Sequence, residues 1–478
     1  MPDNGTGRGH TVQSSLSGSN LTRRAVIRGA VGVAAVAAFP TVAGRIAAQV
    51  GEATPGKAAA DVSIRYISAV GSDDNDGLTP SAPWATIKNV NSALTEGRCA
   101  LLFRRGDTFY GELVLPFGTE VGAYGSGDMP VLTLYKLLNR PGGWVEYTPG
   151  IWKIDLAAPS THDGHTATSD ANVGFLLVDG VVHPNLKFDL SGLSAPWDFT
   201  TDVANHVLYV KAQANPTTLA NDIRAAPNGD AGGVGGAVIR CDFGSNDIHD
   251  VRITGSGGCG IMGSGPDVRI RGCFIDHIGG SRLLLVDTSG ATRYGNGIAN
   301  WINVDRWWIE GNEISDVYDA AWSPQGFDPG GAPVFWRDLT FRNNYAHDCC
   351  QMVEFWSMSD NPASPGFTRI LVEGNRFQRA GLGVFAAVRP NQDVRVHVLT
   401  YLLETPVDIT IQNNTFDGSY GAFSYHLVEP PAGYLTRNNT IRLAAGHKLE
   451  FQRPETIEQA PLWQAATGRE KGSVFGMG

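Results

Sequence analysis

IEGNEI (Ile309–Ile314), FRNNYA (Phe341–Ala346), VEGNRF (Val372–Phe377), IQNNTF (Ile411–Phe416) and LTRNNTI (Leu435–Ile441) are versions of one phrase. Each reads apolar, polar, Gly or Asn, Asn, any residue, apolar. The shared Asn falls at Asn312, Asn344, Asn375, Asn414 and Asn439, at steps of 32, 31, 39 and 25 residues. Two weaker copies precede them, VRITGS (Val251–Ser256) and VRIRGCFI (Val268–Ile275). A repeat of this size means stacked units. Between the phrases lie short β-type runs and Gly/Asn corners, with no sustained 3.6-residue apolar period. The uneven steps exclude ankyrin and leucine-rich repeats and suit a coil with one fixed corner and loops of variable length. The expected fold is all-β, a parallel β-helix whose rungs lie roughly 4.7–4.9 Å apart. Stacked Asn amides can bond one rung to the next, and Asn tolerates the left-handed backbone of a corner. Unrelated Asn-containing turns would not recur in register with apolar flanks.

A solenoid core grows lengthwise, so 478 residues need not mean three domains. The 59 Gly fit many tight turns, since a 42% apolar share is that of an ordered protein. The start of the chain is read as a targeting segment, residues 1–48. Arg23-Arg24 precedes a mildly apolar run, Gly29–Phe39, too short for a stable membrane span. It resembles the bacterial twin-arginine export signal, which implies the twin-arginine translocase as partner, export in the folded state, and a secreted or periplasmic protein. Cleavage is expected between about Ala43 and Ala60, and no nearby Cys offers a lipid anchor. Removing the segment's five Arg and one Asp from 37 basic and 47 acidic residues deepens the formal charge from −10 to −14. That balance argues against a nucleic-acid partner. The six Cys show no metal-type spacing and read as buried thiols.

Residues 49–60 read as a linker, and 61–141 as an N-terminal cap with the first rungs. That stretch carries Tyr66-Ile67-Ser68, Gly71-Ser72-Asp73-Asp74-Asn75-Asp76-Gly77, Pro83-Trp84, Thr86-Ile87, Gly106-Asp107, Gly111 and Tyr124-Gly125-Ser126-Gly127-Asp128-Met129-Pro130. In this order the motifs resemble the start of extracellular right-handed parallel β-helix proteins that process polysaccharides, the pectate-lyase-like and glycoside hydrolase superfamily. The resemblance implies a right-handed β-helix and a carbohydrate substrate. It does not choose among lyase, glycosidase and epimerase, and it brings no catalytic residue with it. Residues 142–226 break the rung pattern with GGWVEY, GIWKIDL, VGFLLVDGVV, NHVLYVKA and DIRAAP. They read as a small antiparallel β insertion around Trp144, Trp152 and Trp197, such as the resembled group often carries. Rungs resume over 227–452. Residues 453–478 are expected to cap the open last rung, with helical spacing at Ile457, Leu462 and Ala465. Trp463, Thr467, Gly468 and Ser473 match the group's closing segment.

Aligning the rungs on the Asn corner stacks His277, Asp316, Asp348 and Arg379 in one column, four residues on. Carboxylates on neighbouring rungs would lie roughly 5 Å apart and split their pKa values. A retaining glycosidase needs its two carboxyls about 5–5.5 Å apart, an inverting one about 6.5–9.5 Å. Asp316 and Asp348 are thus the first candidate acid and nucleophile or base, with His277 and Arg379 tuning them. Turn-capping Asp residues are the plain alternative. His347 could act as acid or base, or be a surface turn residue. Asp319 is a further carboxylate seven past the corner. Glu354 lies on a strand whose neighbours Val353 and Phe355 should face the core, so it should face outward and could substitute for either Asp. Aromatics crowd residues 294–356, and about a third of them are expected to be exposed. Trp322 and Trp356 are expected beside Glu354, where sugar C–H faces could stack on them. Core aromatics stacked between rungs are the alternative. No protein metal site is assigned. Asp73–Asp76 could offer hard oxygens to Ca²⁺, but the loop lacks a clear distal bidentate Glu, and an Asx-type turn is the plainer reading.

The sequence therefore favours a glycoside hydrolase acting on a polysaccharide or oligosaccharide. Two other readings stay open. One is a polysaccharide lyase whose acidic cluster binds Ca²⁺, with Arg379 or His347 as base. The other is a non-catalytic glycan-binding protein.

Overall fold

A computed structural model describes residues 62–478 apart from 95–97, 141, 158–169, 230–234, 285–291, 390 and 427–428. The twin-arginine segment and the linker lie outside the described residues. Each rung visits three sheets in turn. Val304–Glu310, Glu313–Val317 and Ala320–Gly326 make one rung; Phe335–Arg342, Tyr345–His347 and Gln351–Ser357 make the next. The first sheet holds eleven strands, the second ten and the third nine. Successive strands in each sheet pair in parallel. This is a parallel β-helix, and it follows from the repeat: one apolar-alternating strand per sheet, a corner, and the next strand.

The corner between the first and second sheets explains the recurring phrase. The residue before each shared Asn is left-handed: Gly311, Asn343, Gly374, Asn413 and Asn438 have φ of 66°, 53°, 66°, 57° and 54°. Gly and Asn are the residues that tolerate this backbone. The shared Asn side chains are all buried. Each Oδ1 accepts from the backbone N–H and the Nδ2 of the preceding rung's Asn, as in Asn344 to Asn375 at 2.9 and 3.1 Å. The ladder begins where Cys273 N–H donates to Asn312 at 2.9 Å. It ends where Asn439 Nδ2 meets the Glu470 carboxyl at 3.0 and 3.1 Å. Buried amides thus satisfy one another along the axis, as buried polar groups must.

Inside the coil, apolar residues stack rung on rung. Ile270, Ile309, Phe341, Val372 and Ile411 line the first sheet. Phe377 and Phe416 stack at 5.5 Å from the second sheet, and Trp322 lies flat on Phe341 at 5.1 Å from the third. At one end Trp84, Ile87 and Val90 join this core. At the other Trp463, on the helix Ala460–Thr467, stacks on Phe423 at 6.0 Å, and Val474–Met477 pairs with Thr440–Leu443. Two four-stranded antiparallel sheets stand off the coil. One joins Trp144–Thr148, Ile151–Asp155, Phe199–Asp202 and Val207–Lys211; the other joins Val173–Val178, Val181–His183, Ile223–Pro227 and Lys136–Leu137. Trp144 is buried in their common core, with Trp152 and Trp197 packed against it. All six Cys are buried and free. In GSDDNDG, Asp76 forms an Asx turn, accepting from the N–H of Leu78, while Asp73 ties the loop to the helix start by accepting from the N–H groups of Ala85 and Thr86.

Candidate active site

The column four residues past the corner is first a backbone feature. His277, Asp316, Asp348, Arg379 and Gly418 have φ of 52°, 48°, 56°, 59° and 69°. They form a left-handed bulge where the second sheet bends toward the third. The ladder pairs the residues on either side, such as Asp276 with Ser315 and Ile278 with Val317. Asp is favoured in this conformation whatever its chemistry.

The column is nonetheless electrostatically organised. Asp348 accepts from His347 Nδ1 at 2.9 Å and from Arg379 Nε at 2.7 Å. Burial works to raise its pKa, but His347 and Arg379 outweigh burial and hold it below the usual range. His347 also meets Glu313 at 3.3 Å and stacks on Tyr345, and its own pKa is raised, most of all by Asp348. Asp316 is raised, by burial first; His277 opposes the rise and Asp348 adds to it. His277 contacts Asp276 at 2.6 Å, and Arg252 completes that carboxylate's shell at 2.7 Å.

A second carboxylate pair lies at the third sheet. Glu354 is 8% exposed, between Val353 and Phe355, which are buried in the core. It accepts from Ser323 Oγ at 3.1 Å. Asp319 accepts from Gly295 N–H at 3.0 Å and pairs with Arg389 at 2.6 Å, both side chains 14% exposed. Burial pushes both carboxyls up. At Glu354 the charge of Asp319 adds to the rise, carrying it to about 8 despite Ser323 and Arg389. At Asp319 the Arg389 guanidinium opposes the rise from 2.6 Å. Asp319 thus has a guanidinium partner at 2.6 Å, while Glu354 has a hydroxyl at 3.1 Å and is the carboxyl carried up to about 8. Tyr318 lies between Arg293 and Arg389, whose guanidiniums stand 4.6 and 4.8 Å from its ring. Arg293 donates to the carbonyls of Gly174 and Pro184, at 2.9 and 3.2 Å, and so ties the antiparallel insertion to this place.

Trp322 requires a correction. It was expected to face outward beside Glu354, but it is 0% exposed and donates to Asn300 Oδ1 at 2.7 Å inside the coil. The register pairs Trp322 with Val353. The stretch from Asn corner to third sheet is one residue shorter in the Asn344 rung than in the Asn312 rung, and a one-residue slip exchanges the two faces. Trp356 does share the outward face of Glu354. It is half-buried, bonds Gln325 Oε1, and packs with Trp301 at 5.7 Å and Phe327 at 6.1 Å. Of the other aromatics in this region, Trp307, Trp336 and Tyr318 are buried, while Tyr294, Trp301, Trp308 and Tyr345 are half-buried. The sequence reading missed Arg389. Its signal was the long 39-residue step after Asn375, whose extra length forms the loop that delivers it.

Among the described residues, no three His, Cys, Asp or Glu side chains converge as a metal site would require. No family model matches the chain. No curated protein matches it. Similar solved structures include one described as a glycoside hydrolase, at TM-score 0.44 and 10% identity over 87% of this chain and 96% of that one. XylC in complex with xylose is similar at TM-score 0.40 and 10% identity, covering 86% of each chain. A GH136 lacto-N-biosidase from Eubacterium ramulus is similar at 0.35 and 12%, over 87% of this chain and 67% of that one. Such low scores leave the chemistry to be read from this chain's own side chains.

Proposed function

We propose that the protein is an exported glycoside hydrolase that cleaves a polysaccharide or oligosaccharide, with Glu354 and Asp319 as its working carboxyls. The observation that carries this reading is Asp319 held against Arg389 at 2.6 Å within electrostatic reach of Glu354, a buried carboxyl pushed up to about 8. Two carboxyls driven to opposite protonation states are what an acid and its partner require. Glu354 gives its proton to the glycosidic oxygen as the bond to the anomeric carbon breaks. Asp319 meets the positive charge developing at that carbon. Water then supplies the new oxygen, and its proton returns to Glu354. Trp356 offers a ring face on the same side of the strand. Asp316 and Asp348 are read as positioning the bulge beside this pair.

Purified mature protein would be screened against neutral and uronate-containing polysaccharides, reading reducing ends and near-ultraviolet absorbance, with and without EDTA. Reducing ends without absorbance, unaffected by EDTA, are expected. Glu354→Gln and Asp319→Asn should each lose at least about a hundredfold in kcat, the scale of general acid–base catalysis. Absorbing products from a uronate polymer would replace this reading with a lyase. Full activity in both variants, with loss in Asp316→Asn, would move the site to the bulge.

A further inference from the structure

The first sheet turns a separate face to solvent. Its outward column runs Trp308, Thr340, Leu371 and Thr410, one residue per rung and all half-buried. These residues floor an open trough of about 550 Å³. Two residues before the floor on each strand stand Arg306, Asp338, Arg369 and Asp408; Gln412 and Arg437 form the opposite wall. The cations are offset by carboxylates. Arg306 pairs with Asp267 at 2.6 Å and Arg369 with Asp338 at 2.5 Å; Arg437 donates to the neutral Gln412 at 3.0 Å, and the Asp408 carboxylate in the same wall offsets its charge. The walls therefore present fixed donors and acceptors without the net positive field that a polyanion needs. The floor is an indole face, a Leu and two Thr methyls. That combination fits a neutral sugar chain, whose C–H faces meet the floor and whose hydroxyls meet the walls. Rungs roughly 4.8 Å apart make the four-residue floor about 14 Å long, room for a short run of sugars.

We propose that this trough is a secondary binding surface for a neutral polysaccharide laid along the helix axis. It lies on a different sheet from Glu354, so it would hold the polymer without entering the reaction. The proposal rests on the glycan-active reading for its ligand class. One residue stands in the way: the Arg269 guanidinium lies 5.5 Å over the Trp308 ring. A sugar stacking there must displace it.

Affinity electrophoresis of the mature protein through gels containing hydroxyethylcellulose, arabinoxylan, galactomannan or polygalacturonate tests this. Retardation by at least one neutral polymer is expected. Trp308→Ala should weaken it at least tenfold, Arg269→Ala should strengthen it, and turnover of a soluble oligosaccharide should be unchanged in both. Glu354→Gln should be retarded like the parent. Retardation without turnover by the parent would remove the hydrolase reading and leave the trough standing. Turnover without retardation, retardation by polygalacturonate alone, or retardation indifferent to Trp308 and Arg269 would overturn the trough. A doubled mass in solution that Leu371→Asp reverses would also overturn it, by making this face an interface between copies.

Discussion

Replacing His397 by Leu removes a ring that cannot take a proton where it sits. His397 lies on Val396–Leu403 of the third sheet, fully buried, its ring 5.2 Å from Phe416. Neither ring nitrogen has a hydrogen-bond partner among the described residues. Burial lowers its pKa from 6.5 to about 3. Above pH 6.5 the ring is neutral in both folded and unfolded chains and does not link stability to pH. As pH falls below 6.5 the unfolded chain takes up a proton that the folded chain refuses, so stability is lost down to about pH 3. At about 1.36 kcal/mol per pKa unit the full loss is on the order of 5 kcal/mol, and between pH 7.5 and 4.5 it is about 2–3 kcal/mol. Urea unfolding of parent and His397→Leu at both pH values isolates the ring, because every other acid-linked group is common to the two proteins. Leu leaves no polar atom unpaired, so the variant should match or exceed the parent at pH 7.5 and gain about 2–3 kcal/mol over it at pH 4.5. Parallel pH dependences would refute the reasoning and mean that the ring is solvated or bonded in the folded protein.

Asn375→Ala in mid-ladder should cost about 1–3 kcal/mol in the same assay, because the buried N–H and Nδ2 of Asn344 lose their acceptor. Trp322→Ala should cost about 3–5 kcal/mol through the cavity it opens. Trp356→Ala should cost far less stability and instead raise KM for the glycan; an unchanged KM would remove Trp356 from the substrate's path.

The Asn corners were legible because two constraints coincide there: a left-handed residue that must be Gly or Asn, and a buried amide that must be satisfied by its own kind on the next rung. Those constraints write the same letters five times. The face of Trp322 was not legible. Beyond the bulge, the Asn312 rung carries one residue more than the Asn344 rung, and nothing in the letters between Asp316 and Trp322 marks where the extra residue is absorbed. Counting from the corner therefore set Trp322 against Glu354, whereas packing against Phe341 sets it against Val353. Glu354 escaped the error because its own neighbours, Val353 and Phe355, fix its face without reference to another rung.

The same contrast bears on where chemistry can arise in a coil of this kind. A residue in a repeated column is held by its equivalents above and below, and the left-handed column shows the result: Asp348 is bound by Arg379 of the next rung and by its own neighbour His347. Such a carboxylate is kept ionised by its lattice of partners. The groups that meet around Glu354 come instead from departures from the repeat. Asp319 lies in the stretch that carries the extra residue, Arg389 rides on the long loop after Asn375, and Arg293 joins the site to the antiparallel insertion. Asp319 and Arg389 act together on one buried carboxyl: at Glu354 burial comes first in raising the pKa, the Asp319 charge adds to the rise and Arg389 opposes it, whereas in the column Asp316 is raised by burial first, with Asp348 of the next rung adding to the rise and His277 opposing it.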